Sequence, residues 1–188
     1  MFTYHKSFSL FFCIISFLTL CARPCFAITK TNAPAVVFIT PSHDHVFLSK
    51  LYYPGEPIKG KQKSVVVMKF MSINCPPCKR ELPSFLKTAL WAEKIAKQNS
   101  SQIKFFVVNV DPLSKKKKML DFMKSMNVNL DTQLLLDPYG KGAKLFNVSK
   151  IPRTFVITPD GEIAEDFLIF KDETYKDFKA TIQSLLEK

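Results

Sequence analysis

Two periods of apolar residues run along this chain, and together they predict its elements. Residues 64–71 (SVVVMKFM) are apolar and β-branched on both faces, the pattern of a strand buried in the middle of a sheet. Beyond Cys75 the period changes: Leu82, Phe85, Leu86, Ala89 and Leu90 recur at helical spacing, and the pattern fades near Gln98. Residues 103–110 (IKFFVVNV) predict a second buried strand, ended by Asp111-Pro112. Ser114 is placed to cap a helix whose apolar face is Met119, Leu120, Met123 and Met126. Residues 133–136 predict a short extended segment, and residues 140–147 one or two helical turns. Residues 154–158 and 162–169 predict a hairpin through Pro159-Asp160-Gly161. Asp172 opens a last helix with Tyr175, Phe178, Ile182 and Leu185 inward. Residues 28–64 hold Pro34, Pro41, Pro54, Gly55 and Pro57 between short apolar runs, and predict a loose lead-in with one or two strands. The order βαβα, then ββα, without repeat or linker, predicts one α/β domain built on a central mixed sheet flanked by helices.

The N-terminus follows another logic. Residues 1–7 carry His5 and Lys6 and no acid, residues 8–20 are an apolar run, and Cys25-Phe26-Ala27 supplies small residues at an exit site. That arrangement predicts a secretory signal at 1–27. The run is short against the ~17–25 residues of a spanning helix, which favours cleavage over an uncleaved membrane anchor. Cys21 is a poor lipidation site, because Leu20 is bulky where a small residue is expected. The expected divisions are the signal at 1–27, an N-terminal extension at 28–63 and the main domain at 64–188.

Cleavage changes the cysteine count decisively. Cys13, Cys21 and Cys25 leave with the signal, and of the five cysteines only Cys75 and Cys78 remain. A bridge between them would close almost no loop and would staple little, so in an oxidising compartment the pair reads as reactive. A C-x-x-C alone can also bind zinc or carry a cofactor. Position narrows the choice, because Cys75 falls where a buried strand hands over to a helix. There the unpaired N–H groups and the helix dipole stabilise a thiolate, the nucleophile of disulfide exchange. Cys75 is thus the expected attacker and Cys78, one turn inside, the expected resolver. No c-type haem motif is formed, since Lys79 follows Cys78, and no cofactor is expected.

Strand, Cys75-Pro76-Pro77-Cys78 and helix, followed by Lys79-Arg80-Glu81-Leu82-Pro83, resemble the thioredoxin superfamily. Within it the chain is most similar to the exported TlpA/ResA-like thiol–disulfide oxidoreductases. The resemblance covers roughly residues 33–186. It implies a thioredoxin fold with an N-terminal extension and a strand–helix insertion, consistent with the 77 positions between Cys75 and Pro152. It implies a helix kink at Pro83, an acidic site residue at Glu81, and a cis-proline at Ile151-Pro152 whose backbone groups receive a substrate strand. It also implies reduction of client protein disulfides in the bacterial periplasm, as in cytochrome c or metal-site maturation, with recharging by a membrane-bound thiol reductase. Three positions depart from the pattern. Ile73-Asn74 precede the first cysteine in place of an aromatic residue, Lys69 occupies the slot of a buried Asp, and Arg153 follows the cis-proline. Glu81, coupled to Lys69, is the candidate proton acceptor for Cys78, and Arg153 is a candidate for lowering the pKa of Cys75.

Other readings remain open. An oxidase or isomerase would use the same fold with reversed electron flow. The absence of charge in Pro76-Pro77 favours a reductant. A metal-delivery module could assemble Cys75 and Cys78 with His43 and His45, although the spacing matches no zinc finger. The net charge of +11 falls by two when Lys6 and Arg23 leave, and it favours acidic partners or anionic membrane surfaces. Nucleic acid is not an expected partner, for no binding motif is present. Lys115, Lys116, Lys117 and Lys118 concentrate that charge at a helix start, either as a solvated face or as a docking site.

Overall fold

In the computed structural model, which describes residues 31–52 and 63–187, the apolar periods resolve into eight strands and four α-helices. In chain order they are β1 (Thr31–Asn32), β2 (Val37–Ile39), β3 (His45–Phe47), β4 (Val65–Met71), α1 (Pro76–Gln98), β5 (Ile103–Asn109), α2 (Lys116–Ser125), β6 (Leu134–Leu136), α3 (Lys141–Leu145), β7 (Arg153–Ile157), β8 (Glu162–Phe167) and α4 (Asp172–Leu186). The signal at 1–27, with Cys13, Cys21 and Cys25, lies outside the described residues, as do Pro54, Gly55 and Pro57.

All eight strands join one mixed sheet in the order β1-β8-β7-β4-β5-β6-β2-β3. β4 is central, parallel to β5 and antiparallel to β7. Every residue of β4 is buried, as a strand covered on both faces requires. Its pleat sends Val65, Val67 and Met71 into a core shared with α1, α2 and α4, and Val66, Met68 and Phe70 into a second core. That second core is closed by Val36, Phe38, Leu48 and Tyr52 of the lead-in and by Phe146 after α3.

The lead-in supplies three short strands, more than its proline content suggested. β1 pairs with β8 at one edge, while β2 and β3 extend the other through Ile39 opposite Leu136. Ser114 does not cap α2. The residue preceding α2 is Lys115, which makes no side-chain capping bond, because residues 113–115 already wind as a tight 3-10 turn. Leu90 is 69% exposed, and Ala89 and Ala92 fill the face assigned to it. β8 stops at Phe167, which leaves Leu168 and Ile169 exposed, and Leu186 rather than Leu185 is the fully buried end of α4. These are shifts of position within elements of the expected kind. No helix among the described residues is long and apolar enough to cross a membrane.

Candidate active site

β4 ends at Met71, and four residues later Cys75 begins α1 as its N-cap, with extended φ −97° and ψ 104°. Pro76 and Pro77 occupy the first two helical positions, where a missing N–H leaves no bond unmade. The loop is held from β5. Asp111, itself buried, accepts from Ser72 Oγ at 2.7 Å, Ile73 N at 2.8 Å and Asn109 Nδ2 at 2.8 Å. Ser72 in turn receives Cys75 N on its carbonyl at 3.2 Å and Asn74 N on its hydroxyl at 3.0 Å. Asp111 was legible in the sequence only as a strand terminator. Its place two residues beyond Asn109, at the end of a buried strand, was the available signal.

Cys75 and Cys78 are joined as a disulfide with Cα atoms 5.3 Å apart. Cys75 is half-buried and Cys78 has no exposed surface, so an incoming sulfur meets Cys75 first. Cys78 N donates to Cys75 Sγ at 3.3 Å. It is the sole donor from the first three helical positions, since Pro76 and Pro77 have no N–H. The Ile151–Pro152 peptide is cis, and its Ile151 carbonyl oxygen lies 3.8 Å from Cys75 Sγ, placing this backbone against the accessible sulfur. Pro83 lies within α1, exposed, where it forfeits one intrahelical bond.

Three residues beyond Cys78 on α1, Glu81 enters a buried ion pair. Lys69, with a fully buried side chain, places Nζ 2.6 Å from Glu81 Oε2 and 3.5 Å from Thr154 Oγ1. The ammonium also faces the Phe170 ring at 4.8 Å and the Phe85 ring at 5.7 Å. Burial pushes the Lys69 pKa below its ordinary 10.5, and the charge and hydrogen bond of Glu81 oppose that fall. Glu81 Oε1 accepts from Phe170 N at 3.1 Å. One carboxylate thus ties the dithiol helix to β4 through Lys69 and to the turn after β8. The sequence foretold the Lys69–Glu81 coupling but not Thr154 or Phe170, which arrive from distant segments.

Arg153 is engaged elsewhere. Its Nη2 lies 2.6 Å from Asp166 Oδ2, and its guanidinium rests 5.7 Å from the centre of the Phe155 ring. Arg153 and Phe155 share one face of β7, while Thr154, beside Lys69, points to the other. His43 Nε2 lies 3.3 Å from Lys116 Nζ, and His45 sits on the edge strand β3. Among the described residues no three His, Cys, Asp or Glu side chains gather as a metal site, so the two histidines do not join the cysteines. Of the lysine run, Lys116 is tethered to the Pro41 carbonyl at 3.0 Å, and Lys117 and Lys118 are exposed.

The profile of the AhpC/TSA family matches residues 55–166, from before β4 to β8. Sporulation thiol-disulfide oxidoreductase A of Bacillus subtilis (strain 168) is 29% identical over 125 residues, 65% of this chain and 70% of that protein. The thiol-disulfide oxidoreductase ResA of the same organism is 31% identical over 108 residues, 57% of this chain and 53% of ResA, so that match spans about half of ResA. Among solved structures, a putative thiol:disulfide interchange protein DsbE from Chlorobium tepidum superimposes with a TM-score of 0.64 at 21% identity, covering 84% of this chain and 96% of that one. StoA from Bacillus subtilis gives 0.55 at 21% identity, covering 79% and 96%. The fold is thioredoxin-like, and the chain belongs to the AhpC/TSA family as a thiol–disulfide oxidoreductase.

Proposed function

We propose that this oxidoreductase works as a reductant of disulfides in exported client proteins, with Cys75 as attacking and Cys78 as resolving sulfur. The carrying observation is the asymmetry of the pair: a half-exposed Cys75 at the head of α1, bonded to a Cys78 with no exposed surface. In the reduced protein the Cys75 thiolate attacks one sulfur of the client disulfide. A Cys75–client bond forms, and the other client sulfur leaves as a thiolate. Cys78 then loses its proton and attacks Cys75 Sγ, releasing the second client thiolate and closing the Cys75–Cys78 disulfide. Two electrons pass to the client. Glu81, one turn beyond Cys78 on α1, takes that proton, and Lys69 holds its carboxylate in place. Ile151, Pro152 and Arg153 form the client-strand cradle, supported by the Ile151 carbonyl beside Cys75.

The direction of flow is argued from the helix start. Thiolates at helix N-termini owe their stability to converging N–H donors, and strong oxidants depend on it. Here Pro76 and Pro77 withdraw two donors and leave Cys78 N alone. A less stabilised thiolate makes a more reducing pair. The expected reduction potential is nearer about −270 mV than about −120 mV. Equilibration with glutathione or dithiothreitol buffers measures it, and a value near the upper figure would reverse the assignment to an oxidase.

The same reading places residues 28–63 as an extension of a thioredoxin-like domain at 64–188, exported to the periplasm by the segment at 1–27. Its electrons come from a membrane-bound thiol reductase. Trapping with Cys78→Ala, whose mixed disulfide cannot resolve, identifies the client.

A further inference from the structure

We infer that the partner meeting Cys75 presents an acidic protein surface, received by Lys79, Lys115, Lys117 and Lys118 on one flank of the dithiol. The inference rests on the reductant reading and names the chemistry of its client. Topology brings these residues to the sulfur. β4 and β5 run parallel and in register to Met71 opposite Asn109, so the chain leaves both strands at the same, C-terminal, end of the central pair. One exit leads to Cys75, the other to the lysines. Asp111 binds the two exits together through Ser72 and Ile73, and Val110 N bonds the Met71 carbonyl at 3.0 Å. Further out, Lys79 Nζ lies 5.3 Å from the centre of the Phe122 ring of α2, one turn beyond Lys118. The first turn of α1 and the start of α2 therefore form one continuous basic flank.

On α2 the acid nearest these lysines is Asp121, one turn beyond Lys117, and it makes no ion pair with them. The ion pairs among the described residues join Lys63 to Asp160, Lys69 to Glu81 and Arg153 to Asp166, and none involves these four lysines. The first turn of α2 contains no acid, so its lysines face the positive end of the helix dipole unopposed. An acidic partner relieves both repulsions on docking. An anionic membrane supplies similar charge, but it would cover the face from which Cys75 must reach a protein disulfide.

The test compares two synthetic disulfide-looped peptides of equal length, one flanked by Asp and Glu, the other by Ser and Gly. The reduced mature protein is the donor, at about 20 mM and about 500 mM salt. At low salt the acidic peptide is reduced about tenfold faster than the neutral one, and the ratio falls towards one at high salt. In the Lys117→Glu/Lys118→Glu variant the ratio is one or less at low salt. Equal rates in the wild-type protein, or a ratio that survives in the variant, overturn the inference. So does binding to phosphatidylglycerol vesicles through these lysines that suppresses peptide reduction, which assigns the flank to a membrane. Should neither peptide be reduced, the reductant reading itself falls, and with it this one.

Discussion

A lysine without exposed surface loses several kcal/mol in desolvation, and only a well-placed partner offsets that loss. Lys69 has such a partner in Glu81, which lends Lys69 its charge and receives the Phe170 N–H. Exchanging Glu81 for Gln removes the charge while keeping the shape. The expected result is a Cys78 that ionises at higher pH and slower release of the mixed disulfide, read by thiol titration and exchange rate. If both match the wild type, Glu81 serves the structure alone. Lys69 also makes a prediction about pH. Its pKa in the folded protein lies below 10.5, so in the window just under 10.5 the unfolded chain holds more protons and stability rises with pH. Tyr52 acts in the opposite sense. Burial raises its pKa to about 12, so the unfolded chain deprotonates first and stability falls above about pH 10. Urea unfolding of wild type and Lys69→Met from pH 8 to 10.5 isolates the lysine, since Tyr52 is common to both. The rise relative to the variant should be present in the wild type; parallel curves would refute it.

At the scale of elements, α1 and α3 are placed by opposite means. The 23 residues of α1 carry an inward face of Leu82, Phe85, Ala89 and Ala92, long enough to be specified by pattern alone. The five residues of α3 have no such face and are held by tertiary contacts. Asp137 accepts from Gly142 N at 3.1 Å and Ala143 N at 2.7 Å, and the absence of a side chain at Gly142 admits Phe38. A Cβ there would lie 2.3 Å from Phe38 Cε1, and Phe38 is buried in the second core. Gly142→Ala should therefore destabilise by about 1–3 kcal/mol through overpacking. In a thermal melt this reads as a drop of about 2–4 °C per kcal/mol. An unchanged midpoint would mean that the Phe38 ring has room to retreat.

For the whole molecule, the sheet separates two cores, and the second depends on Phe70. Its ring centre lies 6.3 Å from that of Phe38, 5.7 Å from Phe146 and 5.8 Å from Phe155, so one side chain joins the lead-in, the end of α3 and β7. Phe70→Ala should cost about 3–5 kcal/mol, measured by urea denaturation with the slope unchanged. A loss below about 1 kcal/mol would show that the three rings close over the gap. Because β7 begins two residues after Ile151, whose carbonyl oxygen lies 3.8 Å from Cys75 Sγ, the same variant should also slow exchange at Cys75.

The amino-acid order alone determined the principal strands and helices, the hairpin at Pro159-Asp160-Gly161 and the position of the dithiol. Each rests on local periodicity, turn chemistry or spacing, which a chain carries wherever it goes. The coupling of Lys69 to Glu81 was also within reach, through the resemblance that set Lys69 in the slot of a buried Asp and Glu81 at the acidic site position. Tertiary structure alone decided that the proline-rich lead-in contributes strands to both edges of the sheet, and that Asp111 anchors the loop before Cys75. It also turned Arg153 towards Asp166 and brought Phe170 to Glu81. These contacts join residues as far apart as Thr31 and Ile163, 132 positions. Nothing in a local pattern fixes which remote partner will satisfy a buried charge or an open strand edge; that is settled only when the sheet assembles and burial leaves each polar group few partners within reach.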